Sequence, residues 1–224
     1  MLTPADWHAL ALTLRLAGLT TVLLLVVSLP LAWWLGRGNS AGRALVHSLV
    51  ALPLVLPPTV LGLYLLLVLG AQGPVGALVP GGLAFTFTGL VIGSMCYSLP
   101  FVVQPLVTGF AALEQEVLDA AASLGAGPID RFCRVALPQI WPSLLGALVL
   151  GFAHTIGEFG VVVMIGGSLP GETLVASVAI FEYVESGRID QAHDLALVLL
   201  GLSGGLLLIV YGLDWWRRRR GMRR

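Results

Sequence analysis

Apolar residues along this chain fall in runs of twenty or more, broken by short segments where Gly, Pro and charged residues collect. A helix needs roughly 20 mostly apolar residues, at about 1.5 Å rise each, to cross a bilayer. Five stretches meet that length: residues 12–35, 44–69, 83–110, 141–165 and 195–216. The pattern predicts an all-α integral membrane protein of about five spans, a single domain with its core over residues 12–216. A sixth apolar run, residues 174–184, is too short to cross. It reads as a helix lying in the outer interface, with re-entry as part of a gate as the alternative, and Glu182, Glu185 and Asp190 at its end suit an acidic external loop.

Proline and glycine interrupt this pattern inside the runs. Pro53, Pro57 and Pro58 fall in the second, Pro100 and Pro105 in the third, and Gly146, Gly151, Gly157 and Gly160 in the fourth. Each proline removes a backbone donor and frees a carbonyl, which in a membrane is tolerated where protein or a water-filled cavity covers it. The second, third and fourth helices are therefore expected to face one another and line a pathway.

Charge then orients the helices. All twelve basic residues are arginines. Ten of them, Arg37, Arg43, Arg131, Arg134, Arg217 to Arg220, Arg223 and Arg224, fall on one side of five alternating spans, against Arg15 and Arg188 on the other. By the positive-inside bias the amino terminus is outside and the carboxyl terminus cytoplasmic. The first run lacks a basic start and leads directly into Arg37, so it reads as a retained anchor and not a secretory signal. Residues 217–224 read as a basic cytoplasmic tail beside the Trp215-Trp216 pair, which is membrane anchoring and not nucleic-acid binding.

Composition excludes several activities. Charged residues make up 11% of the 224 residues, about half the usual share of a soluble domain. Without lysine the chain has neither a phosphate-binding G-x-x-x-x-G-K-[ST] loop nor a Schiff-base lysine. Cys96 and Cys133 lie too far apart in sequence to form a CxxC site, and no HExxH or GxSxG motif is present. No catalytic residue, metal site or cofactor is expected. Any ATP-driven work must come from a separate subunit.

Two segments carry the candidate chemistry. Residues 111–137 form the one sizeable cytoplasmic loop, in which Leu113, Val117, Ala120, Ala121 and Leu124 recur at helical spacing. Gly125 supplies a helix stop before the turn Ala126-Gly127-Pro128, and a second short helix follows over residues 129–137. In the fourth span His154 and Glu158 lie four apart and, on an unbroken helix, share a face. An ionised carboxylate there costs roughly 3 kcal/mol on insertion scales, so Glu158 should face the protein interior, hydrogen-bonded at the kink or across a dimer seam. Its contact with an anionic cargo is disfavoured by repulsion. Donors for an oxyanion are backbone N–H groups and the hydroxyls of Thr59, Ser94, Thr155 and Ser168.

Asp119-Ala120-Ala121, Gly125 and Val135-Ala136-Leu137-Pro138 resemble the E-A-A-x3-G-x9-I-x-L-P loop of ABC importer permeases, with Asp for Glu and Val for Ile. Leu52 to Pro58, Gly157-Glu158-Phe159-Gly160 and Pro170-Gly171-Glu172-Thr173 are similar to segments of molybdate importer permeases. Sulfate permeases share the first two. The resemblance implies an importer permease acting as a homodimer, with two ATPase subunits docked on the 111–137 loop and an extracytoplasmic oxyanion-binding protein. It also implies a pathway or gate at Pro57, Pro58, Thr59, Thr155, Gly157, Glu158, Phe159, Gly160, Pro170, Gly171, Glu172 and Thr173. Molybdate is the expected cargo, with tungstate, sulfate or thiosulfate as alternatives. A carrier acting without an ATPase ranks lower, because such carriers contain paired halves that five non-repeating spans do not supply.

Overall fold

The computed structural model describes residues 2–221 and, in the last helix, side chains as far as Leu208. The basic cluster 217–224 and the Trp215-Trp216 pair therefore lie outside the described side chains. Every regular element among the described residues is helical. The order is α1 (Pro4–Gly36), α2 (Ala41–Ala51), α3 (Pro58–Leu69), α4 (Phe87–Ala111), α5 (Gln115–Ser123), α6 (Pro128–Asp130), α7 (Leu137–Gln139), α8 (Trp141–Ile156), α9 (Gly160–Gly166), α10 (Ala176–Glu185) and α11 (Ile189–Gly221).

Local chemistry sets these boundaries. Thr3 and Asp6 form a reciprocal capping box at the start of α1, with Pro4 at the first helical position, where its missing N–H costs nothing. Thr86 caps α4 by accepting from the Gly89 N–H at 3.1 Å. Thr13 of α1 performs the same service at a distance, its hydroxyl accepting from the Ala176 N–H at 2.9 Å where α10 begins.

Three helices are each long and apolar enough to cross a membrane: α1, α4 and α11 over Ile189–Leu208. Two further stretches are bent. Ala41–Leu54 meets Pro58–Leu69 at 109°, and Pro128–Gln139 meets Trp141–Ile156 at 76°. The run expected as one second span is thus two helices, because Pro57 and Pro58 cannot continue the preceding turn. The fourth run divides again at Gly157, where α8 ends, and resumes as α9 at Gly160. The third run does not divide: Pro100 and Pro105 are both inside an unbroken α4, with Pro100 buried among its neighbours. Gly146 and Gly151 likewise leave α8 intact. Gly151 instead permits close approach, since a Cβ there would stand 2.6 Å from Val102 Cγ2 of α4.

Packing is centred on α1, α4 and α8. Leu24, Ala32, Val102, Val103, Leu106, Phe110 and Ala147 form one fully buried cluster, into which Leu118, Ala136 and Ile140 of the connecting segment also pack. A second cluster joins Leu16, Leu90, Val161, Val162 and Ile165, and a third joins α1, α10 and α11 through Leu10, Ala176 and Leu195.

Candidate functional site

The 111–137 segment folds as a helical hairpin. α5 ends in a Schellman motif: the Ala126 N–H donates to the Ala121 carbonyl and the Gly125 N–H to the Ala122 carbonyl. Gly125 takes φ +85°, a left-handed conformation open to glycine. The return helix runs from Pro128 through a π-helical turn at Arg131–Ala136 to Gln139.

The apolar face of α5 divides in a way that spacing alone does not reveal. Leu118 is buried, whereas Val117 and Ala120 are exposed, Leu124 is 90% exposed and, across the turn, Ile129 is 79% exposed. The inner anchor is therefore Leu118, and Val117, Leu124 and Ile129 stand outward as an apolar ridge. Asp119 is also exposed, its carboxylate accepting from Gln115 Nε2 at 2.8 Å, while Ala121 is half-buried. Val135 and Leu137 pack partly against the core and Pro138 is exposed.

Aromatic contacts hold this hairpin to the long helices. Trp33 of α1 meets Phe110 of α4 and Phe132 of the return helix edge-on, at 5.2 and 5.4 Å between ring centroids. The Arg37 guanidinium lies 4.5 Å above the Trp33 ring and donates a hydrogen bond to the Gln115 side-chain carbonyl.

The second region is the break between α8 and α9. Glu158 is 3% exposed, and neither carboxylate oxygen has a hydrogen-bond partner. The Ser94 hydroxyl of α4 interacts with it outside hydrogen-bond geometry and is itself unpartnered. The backbone is held instead: Ser177 of α10 donates to the Glu158 carbonyl at 2.6 Å. Because α8 ends at Ile156, Glu158 has left the helix that carries His154, and the shared face expected from their spacing does not form. His154 stacks on Phe101 at 3.8 Å, and its Nδ1 pairs with Ser98 Oγ at 2.9 Å. Thr155 is satisfied within α8, donating to the Gly151 carbonyl at 2.9 Å. The hydrogen bond expected for Glu158 at the kink is therefore not made by its carboxylate within this chain.

The remaining candidates divide into two groups. Pro58 and Gly160 meet where α3 and α9 both begin, close enough that a Cβ on Gly160 would stand 2.7 Å from Pro58 Cβ. Phe159 packs on Phe181 of α10 at 4.9 Å, while Pro57, Thr59 and Gly157 are exposed beside the break. Pro170, Gly171, Glu172 and Thr173 lie beyond the other end of α9, in a turn stapled by Thr173, whose buried hydroxyl donates to the Gly166 carbonyl at 2.6 Å and accepts from the Leu169 N–H at 3.2 Å. Pro170, Gly171 and Glu172 face outward. Ser98 and Ser177 were not legible as site residues, since a serine on an apolar helix carries no signal until its partner is known.

Residues 28–217 match the family described as binding-protein-dependent transport system inner membrane component. The chain is 51% identical over 214 residues to the molybdenum transport system permease protein ModB of Azotobacter vinelandii, covering 94% of this chain and 92% of that one. It is 39% identical to the sulfate transport system permease protein CysT of Synechococcus elongatus, over 87% of this chain and 71% of the relative. Among solved structures, a bacterial alginate ABC transporter bound to a pentasaccharide-loaded periplasmic protein superposes with a TM-score of 0.76 at 19% identity, covering 93% of this chain and 77% of that one. The inward-facing MetNI methionine ABC transporter superposes at 0.72 and 16% identity, covering 95% of this chain and 97% of that one. These two likenesses establish the fold.

Proposed function

The chain belongs to the inner-membrane components of binding-protein-dependent transport systems, a family of multi-pass permeases and not of enzymes, and we propose that it forms the pathway through which molybdate is imported. Two copies would enclose the pathway. Five spans are counted by taking the α2–α3 pair as one interrupted crossing and α8 with α9 as another, with the amino terminus outside and the carboxyl terminus cytoplasmic. Two ATPase subunits would dock on the 111–137 hairpin, and an extracytoplasmic oxyanion-binding protein would deliver cargo to the opposite face.

The observation that carries this reading is the ridge of Val117, Leu124 and Ile129, apolar and exposed on a hairpin whose base is locked to α1 and α4. Such a ridge suits insertion in another protein's groove. A push on it reaches α8 directly, because the return helix leads into α8 through one bend at Ile140. Hydrolysis on the partner would thus move α8, and with it the break at Gly157 to Phe159, between open and closed arrangements. Pro58, Gly160 and the stapled turn at Pro170 to Thr173 would form the jaws.

Molybdate is favoured over sulfate by the extent of identity to the molybdenum permease; the sulfate relatives keep sulfate, thiosulfate or tungstate as the second reading. The test is isolation of the tagged protein with its ATPase, followed by uptake of radiolabelled molybdate into proteoliposomes with competing oxyanions. Cargo moving without ATP hydrolysis would overturn the importer reading, and sulfate competing better than molybdate would overturn the cargo.

A further inference from the structure

Where α1 ends, the protein has built a cationic cleft for which it supplies no anion. The cleft, of about 230 Å³, is lined by Trp33, Arg37, Leu118, Pro128 and Arg131. Both arginines are half-buried. Neither makes an ion pair among the described residues; the nearby Asp130 is engaged with Arg134 at 3.2 Å. Among the described residues the Arg37 side chain makes a single hydrogen bond, to Gln115. The Arg131 side chain makes none among them, and its Nε is buried without a partner. The Arg131 Nε has thus lost its water contacts without gaining a hydrogen bond from the protein. The Pro128 end of the return helix adds its positive pole to the same cleft.

We propose that this cleft binds a tetrahedral anion, a phosphate or oxyanion group held between Arg37 and Arg131. Guanidinium forks match such groups bidentately. The volume accommodates one together with several waters, at roughly 30 Å³ per water. Its position fits a phospholipid headgroup, since Trp33 and Trp34 mark the end of the apolar part of α1 one turn before Arg37. The same chemistry would accept a free oxyanion from the cytoplasm. In either case the anion ties α1 to the helix that leads into α8, so its occupancy sets how firmly the hairpin is coupled to the spans.

The inference rests on the permease reading only in placing this end of α1 at the cytoplasmic face, and its test does not involve transport. The transporter with its ATPase is isolated in neutral detergent without the binding protein. Phosphatidylglycerol retention is measured by native mass spectrometry, and binding of inorganic phosphate and molybdate by equilibrium dialysis. Retained phosphatidylglycerol that phosphate does not displace identifies the lipid as the source; saturable binding of dialysable phosphate or molybdate identifies a free anion. In either case the R37Q/R131Q variant should bind at least about tenfold more weakly, and R37K/R131K should recover part of the loss. If the double variant fails to fold, R131Q alone replaces it, because that side chain makes no hydrogen bond whose loss would disturb the hairpin. Absence of binding by the wild-type protein, or binding unchanged in the glutamine variants, overturns the proposal. A transporter that binds phosphate here yet moves no molybdate would separate this site from the cargo assignment.

Discussion

Gly125 tests the docking hairpin most cleanly, because its replacement has one physical consequence. The residue sits at φ +85°, and a Cβ built on it meets nothing within 4 Å. Substitution therefore brings no clash, only the left-handed backbone penalty of about 1–2 kcal/mol for an L-residue, largest for a β-branched one. α5 itself has little to offset that cost, since it is short and Leu118 is its buried residue. A penalty of this size lowers the ratio of formed to unformed turn by roughly five- to thirtyfold. Gly125→Val should accordingly insert and accumulate normally, yet associate with the ATPase and couple molybdate uptake to hydrolysis less well, by a factor of up to about thirty. Gly125→Asn, equally polar-exposed but tolerant of the left-handed region, should remain close to wild type. The assay is uptake per ATP hydrolysed in proteoliposomes, with pull-down of the ATPase as a second readout. Full coupling in the valine variant, or equal impairment of both variants, would refute the backbone argument.

Three other outcomes follow from the same geometry. Leu124→Asp, at a position 90% exposed, should leave the thermal unfolding of the isolated permease unchanged while abolishing ATPase co-purification; retained co-purification removes the ridge from the interface. Thr13→Val strands the buried Ala176 N–H at the start of α10, which should destabilise the protein by about 1–3 kcal/mol in thermal unfolding, with Thr13→Ser restoring most of it. Glu158→Gln removes a buried carboxylate that no hydrogen bond satisfies, so stability should hold or rise while uptake falls; a lowered unfolding temperature would show that the charge supports the fold.

Sequence reading reached the kind of fold and the outline of the hairpin, because both depend on composition over windows of about 20 residues. It failed where the question was whether a helix continues. Pro57-Pro58 and Pro100 look alike in sequence, yet the first pair forces a 109° bend and the second sits inside an intact helix. The difference lies in what surrounds each: Pro100 is buried in α4, whereas Pro57 is exposed at the turn between two short helices. Helical spacing likewise does not say which apolar residue of α5 is taken inward. Val117, Leu124 and Leu118 are equally apolar, and only the core made by Phe110, Ala136 and Ile140 determines which one is taken inward.

The break at Gly157 extends this point to function. Read as a continuous helix, the fourth run puts His154 and Glu158 on one face and invites a proton-relay or metal reading of the pair. The break instead gives them separate surroundings: His154 is engaged by Phe101 and Ser98, and Glu158 is left facing Ser94 with unsatisfied oxygens. An unsatisfied carboxylate held only through its own backbone carbonyl, by a hydroxyl on a different helix, is poorly suited to cementing one conformation. A rearrangement of this segment would have to break the Ser177 bond to the Glu158 carbonyl but no bond of the carboxylate itself. Three aromatic rings lock the hairpin base, and the Phe101 stack and the Ser98 hydroxyl hold the far end of α8, so the two ends differ at the unsatisfied Glu158 carboxylate just beyond it.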